Sequence, residues 1–338
     1  MPARHPGRIN TMIRVLITAF LVLFSFATVA DDSTLAKGRA AAAAFLAGDT
    51  AAIWRQMTPE MQRAAGASEA AFADLCAQLL RDYGSEAPAP REEVLDQGET
   101  QTYRRIGTWS NSTTVLALQF SFDADGRIAG FYLQPAPVAA ESRFLDYQTK
   151  AKLRLPFDGD WFVVWGGHDI ETNYHAADRV QRFALDLLVL KDGATHEGDP
   201  AKPENYYCWD RPILAPADGM VVTAIDGLPD EDVGLDNPEA PAGNHVVLDL
   251  GNGEYAFLAH LRKDSVKVKP GDQVRSGQEL GRCGNSSAMV PHLHFHLQTT
   301  PDLHDGEGLP VFFENYVADG KPVARGEPMR GQVISPAP

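Results

Sequence analysis

Residues 291–298 read PHLHFHLQ. Side chains alternate faces along a β-strand, so a strand here puts His292, His294 and His296 on one side and Leu293, Phe295 and Leu297 on the other. A helix would scatter both sets around its circumference and give neither a face. The segment is therefore constrained to a strand with one face in an apolar core and the other lined by imidazoles. Imidazoles grouped in this way suit metal binding and proton transfer.

Further histidines lie in the same half of the chain. His168 and His175 fall in GGHDIETNYHA, His260 ends FLAHL, and His196, His245 and His304 stand in separate segments. Asp186 lies in the apolar run QRFALDLLVL. A catalytic zinc site takes about three protein ligands from His, Asp or Glu and leaves one position open. The cysteines are absent from the histidine clusters, which speaks against a structural zinc site.

The chain around these residues has two compositions. Residues 33–83 are Ala-rich with helical spacing. A first helix ends near Gly48, a second starts near Thr50, and a third runs from about Ser68 to Tyr83. The stretches EEVLDQGE, QTYRRIGTW, TTVLALQFSFD and GRIAGFYLQP read as strands, with turns at Asn111-Ser112 and Asp125-Gly126. From about residue 150 the helical spacing stops and short strands punctuated by Gly and Pro take over. The expected fold is multi-domain, a small α+β domain followed by an all-β domain. The expected boundaries are 1–30 signal peptide, 31–138 α+β accessory domain, 139–152 linker, 153–325 all-β domain and 326–338 C-terminal tail.

Four ordered blocks of the second domain, PILAPADGMVV, GNHVVLDLGNGEYAFLAHL, VKVKPGDQVRSGQELGRCGNSS and PHLHFHL, resemble the lysostaphin-type (LytM-like, peptidase M23) zinc metalloendopeptidases. The resemblance covers about residues 155–320 and implies a LytM-like fold built on a duplicated hybrid motif. It also implies hydrolysis of peptidoglycan peptides with Zn2+ as cofactor. Matched position by position, His294 and Asp186 become zinc ligands, and His260 and His292 become catalytic histidines that do not bind the metal. The first domain loosely resembles NTF2-like or cystatin-like accessory domains, with no motif behind the likeness.

One departure concerns the first ligand. The family pattern is His-x-x-x-Asp, and counting back from Asp186 gives Arg182, whose guanidinium has no lone pair to offer. His175 and His168 are the two replacements, and His175 is preferred because a loop ligand can be aimed at the metal. His168 then stands beside the cleft. A second departure is His296, where the family usually has Glu; it is read as a residue of the rim or one backing a ligand. His196 and His304 are expected in solvent, and His245 is read as structural.

The start of the chain points to export. Arg4, Arg8 and Arg14 precede an apolar run ending in Thr28-Val29-Ala30, the pattern of a cleavable signal that leaves no membrane span. Periplasmic or secreted localisation follows, with envelope proteins as possible partners. The chain carries 30 Lys+Arg against 45 Asp+Glu, a formal charge of −15, which argues against nucleic acid as a partner. Three cysteines, Cys76, Cys208 and Cys283, leave two readings open in an oxidising compartment: a Cys208–Cys283 disulfide, or three separate buried thiols. Two other functions compete. A LytM-like module without activity would bind and regulate other wall hydrolases. A biotinyl, lipoyl or phosphocarrier domain would share the paired hairpins, but it needs a modified lysine tip or a cytoplasmic setting.

Overall fold

The computed structural model describes residues 32–66, 68–96, 100–235 and 237–338. The signal expected over 1–30 lies outside them. Two compact units appear, one ending at Ala136 and the other running Pro137–Pro338. No helix among the described residues is long and apolar enough to cross a membrane.

The first unit is α+β. Helices α1 (Asp32–Leu46), α2 (Thr50–Gln56), α3 (Pro59–Ala64) and α4 (Glu69–Tyr83) precede an antiparallel meander of β1 (Arg91–Asp96), β2 (Gln101–Gly107), β3 (Leu116–Phe122) and β4 (Ile128–Pro135). Ser68 caps α4 by accepting from the Ala71 N–H at 3.1 Å. The short α3 is not among the helices expected from spacing. Thr58 caps it and Pro59 supplies its first turn, where a missing N–H costs nothing. Phe131 on β4 packs against Phe45, Phe72 and Phe120 with ring centroids 5.2–5.6 Å apart, which joins two helices to the sheet.

The second unit is almost all strand. Its first part holds β5 (Trp161–Trp165), β6 (Leu185–Leu188), β7 (Pro212–Leu214), β8 (Gly219–Ile225) and β9 (Asn244–Asp249). Then follow β10 (Tyr255–Leu261), β11 (Gln273–Val274), β12 (Glu279–Arg282) and β13 (Leu293–Gln298). The last are β14 (Gly308–Leu309), β15 (Phe313–Ala318), β16 (Lys321–Gly326) and β17 (Val333–Pro336). The main sheet runs β11-β8-β9-β10-β13-β6-β5-β17-β15-β16, with β14 against β13 and a separate β7–β12 pair. β13 therefore sits at the centre, between β10 and β6. Leu293, Phe295 and Leu297 are fully buried, and Phe295 meets Phe313 at 5.4 Å.

Two stretches differ from the expected boundaries. Residues 326–338 are not a free tail, because β17 pairs with both β5 and β15 and buries Ile334 completely. Residues 139–152 carry no regular element but are strapped to the β unit by two buried carboxylates. Glu254 accepts from the Tyr147 hydroxyl and the N–H groups of Lys150 and Ala151. Glu307 accepts from the Arg143 N–H at 2.7 Å and from the guanidinium groups of Arg143 and Arg179.

Burial alone would raise the Glu307 pKa, but these donors hold it down to about 2. A carboxyl depressed by folding adds stability above its unfolded pKa and loses it as pH falls through the folded value. Glu307→Gln should thus destabilise the β unit by about 3 kcal/mol at pH 7. The difference should fade as pH drops from 5 toward 2. Denaturant unfolding across that range checks it, and an equal loss at every pH refutes the assignment.

Candidate metal centre

The register of β6 against β13 places Asp186 directly opposite His294. The cross-strand pair brings the Asp186 Oδ1 to 2.9 Å from the His294 Nδ1. His175 reaches the same point from a 3₁₀ turn, Tyr174–Ala177, with its Nε2 at 3.5 Å from the Asp186 Oδ2. One donor atom each from His175, Asp186 and His294 lie within 4.8 Å of one another, and all three residues are buried. His168 turns away; its Nε2 meets Glu327 at 2.9 Å. Arg182 donates to the His168 carbonyl.

The donor set fits a zinc ion in its chemistry. It offers two imidazole nitrogens and one carboxylate, the mixture found in catalytic sites. The His175 ring is aimed by Asn173, a fully buried residue. The Asn173 amide NH2 donates to the carbonyls of Gly167 and Ala184, so its Oδ1 must accept, and it lies 2.9 Å from the His175 Nδ1. The His175 Nδ1 then carries the proton and the Nε2 lone pair points at Asp186. Burial drives the His175 pKa down to about 3, against the opposing pull of Asp186. Burial would raise the Asp186 carboxyl, but His175 and His292 hold it well below the usual carboxylate range.

The two expected catalytic histidines stand beside this group. The rings of His260 and His292 are 4.7 Å apart, and the His292 Nε2 lies 3.5 Å from the Asp186 Oδ1. Each ring is set by a main-chain acceptor: the Nδ1 of His260 on the Ser286 carbonyl at 2.9 Å, that of His292 on the Val290 carbonyl at 2.8 Å. Both Nε2 atoms are therefore left for the site. His260 sits at an irregularity of β10 between Leu258 and Leu261, with φ of +60°. A bulge of this kind turns a side chain out of strict alternation at the cost of backbone strain. Burial, then the charges of His292 and His294, hold the His260 pKa well below its ordinary value. For His292 burial pulls down, but Asp186 wins and the net shift is upward. A cation bound beside Asp186 opposes that rise.

Of the other histidines, His296 is buried against the site, with its Nδ1 3.0 Å from the His294 Nε2. It backs a ligand and does not stand on a rim. His245 is hydrogen-bonded to the Gly243 carbonyl, His196 packs against Tyr206, and His304 lies in the 299–306 loop. Cys76, Cys208 and Cys283 are buried free thiols, so the Cys208–Cys283 disulfide is not formed; the Cys208 thiol instead donates to the Pro291 carbonyl at 2.9 Å. Sequence reasoning missed Asn173, Tyr174 and Gln298. The Tyr174 hydroxyl is 3.5 Å from the Asp186 Oδ2. Gln298 continues the period of two that starts at His292, which is a readable signal. Nothing local marks Asn173.

Residues 207–306 match the model of peptidase family M23. That stretch includes His260, His292 and His294 and leaves out His175 and Asp186. A relative from Vibrio cholerae, "Peptidoglycan DD-endopeptidase ShyA", is 33% identical over 111 residues, 32% of this chain. The aligned part spans only about a fifth of that relative's length, 21%. The catalytic domain of lysostaphin from Staphylococcus simulans shows 19% identity over 44% of this chain and 87% of that one, with a TM-score of 0.28. A catalytic domain of the M23 protein EnpA from Enterococcus faecalis gives 18% identity, 36% and 92% coverage, and 0.23. Such loose superpositions transfer no residue and no role. The family rests on the sequence match and the ordered blocks: the β unit of this chain contains a LytM-like domain of peptidase family M23.

Proposed function

We propose that the protein is an exported zinc endopeptidase that hydrolyses peptide cross-links of peptidoglycan. The observation that carries the reading is the buried His175–Asp186–His294 group, with two histidines beside it whose Nδ1 atoms are held by main-chain carbonyls. Export rests on the basic and apolar start of the chain, and the substrate on the M23 domain and the named activity of the Vibrio relative.

His175, Asp186 and His294 would hold the zinc, which would supply Lewis-acid chemistry toward water and the scissile carbonyl. The remaining work falls to the chain's own groups. His260 holds its Nδ1 proton on the Ser286 carbonyl and offers Nε2 as the acceptor that orients and deprotonates the attacking water. His292 is held the same way on the Val290 carbonyl, with its Nε2 3.5 Å from the Asp186 Oδ1. In its doubly protonated form it would donate to the developing oxyanion, and the proton that His260 takes from the water would pass on to the leaving amine. The buried Leu293, Phe295 and Leu297 of β13 anchor His294 in the sheet, and His292 immediately precedes that strand.

The reading expects one zinc per chain after purification without chelator. Elemental analysis decides it. No zinc as purified and none after zinc addition would remove the enzymatic reading and leave the binding-module alternative.

A further inference from the structure

His294 differs from His175 in how its ring is held. Among the described residues, no buried amide is hydrogen-bonded to it directly. Its Nε2 meets the Nδ1 of His296 at 3.0 Å, and the Nε2 of His296 meets the Oε1 of Gln298 at 3.0 Å. All three residues lie on one face of β13, and Gln298 is fully buried. The His296 ring is clamped flat against Phe257, with centroids 4.5 Å apart and planes at 12°.

The polarity of this chain of bonds follows from its far end. The Gln298 Nε2 faces the carbonyls of Thr300 at 2.7 Å, Asp302 at 2.6 Å and Asp305 at 3.3 Å. Carbonyl oxygens only accept, so the amide NH2 must point there and Oε1 must point at His296. Oε1 accepts, so the His296 Nε2 carries a proton and its Nδ1 is bare. The bare Nδ1 accepts from the His294 Nε2–H, which leaves the His294 Nδ1, 2.9 Å from the Asp186 Oδ1, as the ring nitrogen available to a metal.

We propose that His296 is a positioning residue that locks His294 in its Nε2–H tautomer, with the direction set by Gln298 and the carbonyls of the 299–306 loop. This rests on the zinc-site reading and deepens it. It also assigns a purpose to a histidine where the family pattern has an acid. Both ligand histidines are then governed by a buried amide pinned to main-chain carbonyls, His175 by Asn173 and His294 by Gln298 through His296.

The test uses the mature chain with and without zinc. Long-range proton–nitrogen NMR of the zinc-free protein should show His296 protonated at Nε2 and bare at Nδ1. Gln298→Met should relax that preference. In chelator competition, His296→Leu and Gln298→Met should weaken zinc by about 10–100-fold. His296→Asn, whose Oδ1 falls near the lost Nδ1, should recover most of the loss. Thermal unfolding of the zinc-free variants separates this pattern from simple destabilisation, because Leu and Asn should melt alike while binding differently. An Nδ1–H tautomer at His296, or equal zinc affinity in the Leu and Asn variants, overturns the proposal and leaves the zinc site standing. A wild-type protein that takes up no zinc overturns both.

Discussion

His260→Ala is expected to lower the rate of peptide hydrolysis by on the order of 100-fold or more while zinc content stays at the wild-type level. The His260 ring lies 5.8 Å from that of His294, beside the metal group and outside it. Alanine at φ +60° is strained, so a loss of activity could reflect a loosened β10. His260→Asn answers this, since asparagine tolerates the left-handed region. Both variants should keep zinc and lose turnover. A variant that sheds its metal instead would make His260 a ligand and reverse its role.

His175→Ala should cost more zinc affinity than the roughly 10–100-fold typical of residues that only back a ligand. It removes one of three donors and leaves the Asn173 Oδ1 with only the main-chain N–H of residue 175. His168→Ala should leave zinc binding within the error of the wild type. Its side chain is engaged with Glu327, in a partly exposed contact worth about 1 kcal/mol or less. Chelator competition on both variants decides between them. Zinc loss confined to His168→Ala would mean that the 167–175 segment folds differently when metal binds.

These residues mark where the sequence is legible and where it is not. The alternation from His292 to Leu297 by itself names a strand, its buried face and its polar face, because a period of two has one geometric solution. The starts of α2 and α4, near Thr50 and Ser68, are legible from helical spacing. Asp186 emerges only through the family resemblance. Its pairing with His294 joins strands far apart in the chain, and register of that kind leaves no local mark. His175 is favoured in the sequence on reach alone; the turn at Tyr174–Ala177 and the Asn173 anchor that aim it are set by carbonyls of neighbouring segments. β17 reads as a tail because a four-residue strand ending in proline has no period to detect. Its partners β5 and β15 supply the pattern. Cys208 and Cys283 are neighbours in the β unit, as their shared domain suggests, but both are free thiols.

The most direct measurement is digestion of purified cross-linked muropeptides by the mature protein, with and without a chelator, followed by mass identification of the new ends. The account predicts new peptide termini, their disappearance with chelator and their return when zinc is restored. Cleavage that persists without metal, or no cleavage by a zinc-loaded protein, would contradict it.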